Sequence, residues 1–221
     1  MTRKEILILT TPLLLFLGCF NNDTQNDNYF LGSSSTNFKK EGDTSSSYYK
    51  YSKGWEHNLK LGNIENGVEG FQIRLWYNPE IVNNKKLILV NHSTGDWSAK
   101  AYHLTVSIDD GISLVAIDSV VALTPKSGWK SFQNKLAELQ VKQLPNHSAS
   151  QGDKLIDDGI TYFVEVANHD LYRFTWFSNP QENIKNNKSA KLWQDVVDVF
   201  NQEFDVSKQA MRTTSALKNK G

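Results

Sequence analysis

The chain has 221 residues, with 24 basic and 24 acidic side chains and one cysteine. That length suits one ordinary domain with extra segments, and the lack of a basic excess argues against a general nucleic-acid binder. One cysteine excludes an internal disulfide and any thiolate zinc cluster, while 39% hydrophobic and 11% aromatic residues suit a packed core.

The N-terminus reads as an export signal. Arg3 and Lys4 precede an apolar run of 12 residues, Ile6 to Leu17, broken only by Thr10, Thr11 and Pro12. Gly18 and Cys19 follow, and the chain turns polar from Asn21 to Asn28. A basic start, a short apolar stretch and a small residue before the break are the parts of a signal peptide. Spanning a bilayer takes about 20 apolar residues, so this run is too short to anchor by crossing. Phe16-Leu17-Gly18-Cys19 resembles the lipobox of bacterial lipoproteins, with Phe16 standing where Leu is usual. The resemblance implies residues 1–18 as a lipoprotein signal peptide and a lipid on the Cys19 sulfur. It also implies a place in the bacterial cell envelope, on the periplasmic side or the outer surface. Cleavage before Cys19 leaves 22 basic and 23 acidic groups, a formal charge of −1.

From Cys19 to Gly54 the chain is rich in Asn, Asp, Ser, Thr and Gly, with serine runs at 33–35 and 45–47. Such composition buries too little apolar surface to offset the entropy of ordering. Residues 19–54 are therefore expected to be a lipidated, flexible polar tether, with Tyr48, Tyr49 and Tyr51 beginning to dock. The globular domain is expected over residues 55–206, followed by a disordered tail at 207–221.

Within the domain, periodicity assigns the elements. Phe71, Ile73 and Leu75 alternate with Gln72, Arg74 and Trp76 as a half-buried strand ending at Asn78-Pro79. Leu87 to Val90 is a second strand, and Tyr102, Leu104, Val106 and Ile108 mark a third. Asp110-Gly111 is a hairpin signal, and Ile112 to Leu123 returns as a fourth strand. Trp129, Phe132, Leu136 and Leu139 lie on one helical face, with Ser127 as the expected N-cap. Ile160 to Val166 and Leu171 to Phe177 make a hairpin around Asn168-His169-Asp170. A strongly amphipathic helix runs from Ser189 to Phe204. The expected fold is α+β, a mainly antiparallel sheet of six strands with two amphipathic helices on one face.

Catalytic signatures are scarce. The five histidines never stand at i, i+4 with an intervening Glu, and no G-x-S-x-G, phosphate-loop or dinucleotide fingerprint occurs. Ile108-Asp109-Asp110-Gly111-Ile112 recurs as Ile156-Asp157-Asp158-Gly159-Ile160, which reads as two Asp-Gly turns rather than calcium loops. Asn91 to Asp96 gathers an imidazole, two hydroxyls and a carboxylate, a turn before it is a triad. Glu165 and Arg173 are expected as a cross-strand ion pair. No metal and no cofactor are expected.

The candidate binding surface is Trp76, Trp176, His169, Asp170, Tyr172 and Arg173. Trp76 and Trp176 fall on strand positions opposite much of the core. Either they form an exposed aromatic face that binds a partner, or the tether or a loop covers that face. The stretch from Ser127 to Pro180 also resembles uncharacterised lipoproteins of Bacteroidetes-type bacteria, which implies no activity. These features together suggest a non-enzymatic, lipid-anchored protein-binding module, immunity- or inhibitor-like. The alternatives are a hydrolase built on His92, Asp96 or His169, and a carrier of lipid or glycan.

Overall fold

The computed structural model describes residues 29–32, 37–93, 95–147 and 158–205. Cys19, the signal peptide, residues 20–28, Asp157 and the expected tail lie outside them. Among the described residues seven strands, one more than the six expected, form one sheet: β1 (Lys39–Gly42), β2 (Phe71–Pro79), β3 (Asn84–Ser93), β4 (Asp96–Val106), β5 (Leu114–Leu123), β6 (Ile160–Asn168) and β7 (Leu171–Ser178). Their order is β1-β7-β6-β2-β3-β4-β5. β1 runs parallel to β7, and every other neighbour is antiparallel. The helices are α1 (Ser47–Asn58), α2 (Trp129–Glu138), α3 (Pro180–Asn183) and α4 (Lys188–Phe204), with a 3-10 turn at Val141–Gln143.

The α+β class and the β2–β5 meander agree with the periodicity. Local chemistry closes the turns. Asp110 Oδ1 accepts from the Ile112 and Ser113 amides at 2.9 Å each, and Gly111 takes a positive φ of 66°. The Asp170 amide donates to Asn168 Oδ1 at 3.0 Å between β6 and β7. Asn187 caps α4 through the Ser189 and Ala190 amides. Ser127 is not the cap of α2, which starts after Gly128. The Ser127 amide and hydroxyl are held instead by the Glu203 carboxylate of α4, at 2.9 and 2.8 Å.

The sheet differs from expectation in its coverage. On one face α2 and α4 bury Phe132, Leu136, Trp193, Val196 and Phe200 against Ile73, Leu75, Ile88 and Val164. The other face is covered too. There α1 lays Trp55 on Trp76, Leu87, Phe163 and Phe174. The tether expected over 19–54 therefore ends sooner, because β1 and α1 lie largely inside it. The segment Ser47–Asn58 is polar overall but carries Tyr48, Tyr51 and Trp55 at helical spacing. Ser46 caps it by accepting from the Tyr49 amide at 3.2 Å. Gly42 lets the end of β1 pass close against the β7 backbone before the chain turns into α1. Its φ is +96°, and a Cβ there would sit 1.8 Å from the Phe174 carbonyl oxygen.

Candidate functional site

The expected aromatic face is not a surface. Trp76 and Tyr172 are fully buried beneath α1. Trp176 is half-buried, stacked against His147 and tilted on Tyr48, and its indole donates to Asp43 at 2.9 Å. Of the two readings, coverage by the tether segment is the one found, because helical spacing turns its tyrosines and Trp55 inward. His169 stays exposed at the β6–β7 turn, with Nδ1 3.0 Å from Asp170 Oδ1. Arg173 lies opposite Val166 and on the other face from Glu165, so the expected ion pair does not form. Arg173 instead pairs with Glu41 of β1 at 2.6 Å and donates to the Leu144 carbonyl. The pattern of alternation placed these residues on faces, but register decided their partners.

Glu165 finds its partners under α1. Arg74 of β2 is its register neighbour. Trp76 Nε1 donates to Glu165 Oε1 at 3.2 Å, and the Tyr172 hydroxyl donates to Oε2 at 2.9 Å. Lys53 of α1 binds the same carboxylate and also lies 2.9 Å from Glu56 Oε2. Arg74 Nη1 lies 2.9 Å from Glu56 Oε1, at ion-pair distance. Arg74 Nη2 donates to the Gly62 carbonyl at 2.6 Å. Further out, Glu65 takes Lys40 at 2.8 Å and the Tyr49 hydroxyl.

Burial and the neighbouring Glu165 charge push the Glu56 carboxyl up to about 8. Burial alone would raise Glu165 as well. The proton held on Glu56 and the cations Lys53 and Arg74 outweigh it and keep Glu165 well below the usual range. Two carboxyls with separated affinities and one shared proton are the makings of an acid–base pair. Glu165 is 0% exposed and Glu56 5%, however, so no substrate reaches them. The network fastens α1 to the sheet. The sequence carried a signal for it: one charge of opposite sign inside each of two apolar strands, Arg74 and Glu165.

His92 and Asp96 do not form a catalytic set. The His92 imidazole stacks on Trp97 at 4.7 Å, while Asp96 is exposed at the β3–β4 turn. Among the described residues no cluster of His, Cys, Asp or Glu could hold a metal ion. Also among them, no helix is long and apolar enough to cross a membrane.

Open space lies elsewhere. A groove of about 540 Å³ runs between α1, the β2–β3 loop and the β4–β5 turn. Its α1 wall is Tyr48, Tyr51 and Trp55. Its floor is Asn78, Lys85 and Val106. Its rim carries Ile81, Val82 and Ile108, which are 69%, 43% and 86% exposed. The rim is braced. Lys85 Nζ donates to the Pro79 and Val82 carbonyls at 2.6 and 2.9 Å, and burial lowers this amine to about 8 against the pull of Glu80. Glu80 accepts from the Thr161 hydroxyl at 2.9 Å. Trp55 Nε1 donates to the Gly111 carbonyl at 3.0 Å, tying α1 to the turn that carries Ile108. Aliphatic side chains held out to water around an aromatic wall suit docking of a protein surface. Periodicity places Ile108 on the third strand and gives Ile81 and Val82 no element, whereas β4 ends at Val106 and all three lie between strands. Only the proximity of the two turns makes them one rim.

The chain matches no protein-family model, and no curated protein or solved structure is significantly similar to it.

Proposed function

We propose that this is a lipid-anchored envelope protein, tethered through Cys19, whose domain binds a protein partner without catalysis, in the manner of an immunity or inhibitor module. The observation that carries the reading is the braced trio Ile81, Val82 and Ile108 around the groove. Loops usually expose polar residues, and a cluster of aliphatic side chains on rigid turns is costly in water until a partner covers it. The aromatic wall beside it supplies the large contact area typical of interface anchors. The carboxyl pair with separated proton affinities, Glu56 and Glu165, is withdrawn under α1, which favours binding over turnover.

A photo-cross-linking residue placed at Ile108 in cells tests this. The expected result is one stoichiometric cross-linked protein, with none from the same residue at exposed Ile184. Replacing Ile81 and Val82 by Asp should reduce capture tenfold or more, the effect of losing central anchors (about 1.4 kcal/mol per tenfold). Equal capture at Ile184, or capture indifferent to the double substitution, overturns the groove as the site. Turnover of an ester, peptide or glycan that disappears in His92→Ala or His169→Ala replaces binding with the hydrolase alternative.

A further inference from the structure

The two margins of the sheet are built differently. β1 is four residues long and presents Lys39, Lys40 and Glu41. Shortness and charge are the usual guards against strand-to-strand association. β5 is ten residues long, and Asp118 is its only charge. It pairs with β4 alone, and no described strand lies on its other side. Val115, Ile117, Val120 and Val121 are exposed along it. Its ladder with β4 is irregular near Asp118 and Val115 but regular from Ser119 to Leu123. An uncharged five-residue edge, Ser119-Val120-Val121-Ala122-Leu123, is thus left with outward backbone N–H and C=O groups. The occupant that fits such a row is another strand.

We propose that this edge is a homodimer interface, in which β5 of two copies pair antiparallel about a two-fold axis and join two sheets into one. A copy of β5 is complementary to itself. With the axis at Val121, that residue meets its own counterpart, Val120 meets Ala122 and Ser119 meets Leu123. No charges oppose across this pairing, since Asp118 falls opposite Thr124. The chain's formal net charge is zero, so no long-range repulsion resists approach. Val120 faces the α1 side with Tyr102, and Val121 faces the α2 side with Ala101, so the pairing removes apolar surface from water on both faces. The irregular stretch before Ser119 ends the ladder there, and the two-fold closes the contact so that no filament grows. The groove described above uses the opposite end of the β4–β5 hairpin and plays no part in this pairing.

Sedimentation equilibrium of the full chain in detergent, across micromolar concentrations, reads the result. The expected mass is that of a dimer, falling to the monomer in Val120→Lys combined with Val121→Lys. Both side chains are exposed, so the variant should keep the parent's circular-dichroism spectrum and a cooperative thermal transition. A monomer at every concentration, or a dimer that the double variant leaves intact, overturns the proposal. A second measurement does not depend on that variant. In a Cys19→Ser background, Val121→Cys should oxidise to a disulfide-linked dimer, because the axis brings residue 121 beside itself within disulfide range. Lys40→Cys on the guarded edge should form no disulfide-linked dimer. Absence of the link at 121, or equal linking at both edges, overturns the proposal.

Discussion

Glu56 and Glu165 share one buried proton, and the sign of their effect on stability follows from where each affinity lies. Glu56 moves from an ordinary 4.5 to about 8 on folding, through burial first and the Glu165 charge second. Between those values the folded protein holds a proton that the unfolded chain has released. Stability therefore falls as pH rises through that window, by up to about 1.4 kcal/mol per pH unit. Glu165 is shifted the other way, so its contribution is present above the ordinary carboxylate range and lost as pH falls below it. The pair together place a stability maximum between these branches, near pH 5. Thermal unfolding followed by circular dichroism should show the midpoint falling from pH 5 to pH 8. Glu56→Gln should flatten that decline and leave the acid branch unchanged. A midpoint level from pH 5 to pH 8 in the parent protein would sink the shared-proton account. Glu165→Gln is the harsher change, because it strands Lys53 and Arg74 under α1. Removing one partner of a buried ion network costs about 3–5 kcal/mol.

At the scale of elements, α1 is the piece that converts a half-covered sheet into a three-layer domain. Its stripe of Tyr48, Tyr51 and Trp55 meets Phe163, Trp76 and Trp176 through ring contacts. Trp55 is 1% exposed and also holds the Gly111 carbonyl. Trp55→Ala should cost about 3–5 kcal/mol in urea unfolding, the range for truncating a buried large aromatic. It should also loosen the β4–β5 turn and with it the rim residue Ile108. Ser46→Ala, which removes the α1 cap, should cost about 1 kcal/mol. A Trp55→Ala loss below that of Ser46→Ala would mean that α1 rests on its charges rather than on its packing. The charges alone are a poor fastening. Their Coulomb gain is offset by the desolvation of Lys53, Arg74 and Glu165.

At the scale of the whole molecule, the domain begins much nearer to Cys19 than the polar composition suggests. Phe30 is buried against Phe71 and Trp97, and the Tyr29 hydroxyl accepts from the Lys142 amide at 3.1 Å. Nine residues, ten Cα-to-Cα steps, separate Cys19 from Tyr29. Fully extended they reach at most about 35 Å. Under the proposed anchoring, the domain is held within one domain diameter of the bilayer instead of on a long stalk. Cys19→Ala should move the protein from the membrane to the soluble fraction, read by fractionation of cells. If the variant stays with the membrane, the lipid anchor is wrong.

Much of the fold could be read from one chain. Strand alternation in Phe71–Tyr77 and Ile160–Val166, the Asp110-Gly111 and Asn168–Asp170 turns, and the stripe of α4 are all local properties. They depend on neighbours within a few residues, and periodicity reports those directly. The candidate site was barely legible. Glu165 pairs with Lys53 and stands beside Arg74, not Arg173, because register and a distant helix set its neighbours. Ile81, Val82 and Ile108 became one rim because two turns far apart in sequence meet beside α1. The sequence by itself determined which stretches are strand or helix, the α+β class and the scarcity of catalytic motifs. Only the tertiary structure decided that a polar N-terminal stretch covers the second face, burying Trp76 and Tyr172. Its low average hydrophobicity hid a narrow apolar stripe that has meaning only once the sheet offers an aromatic surface to receive it.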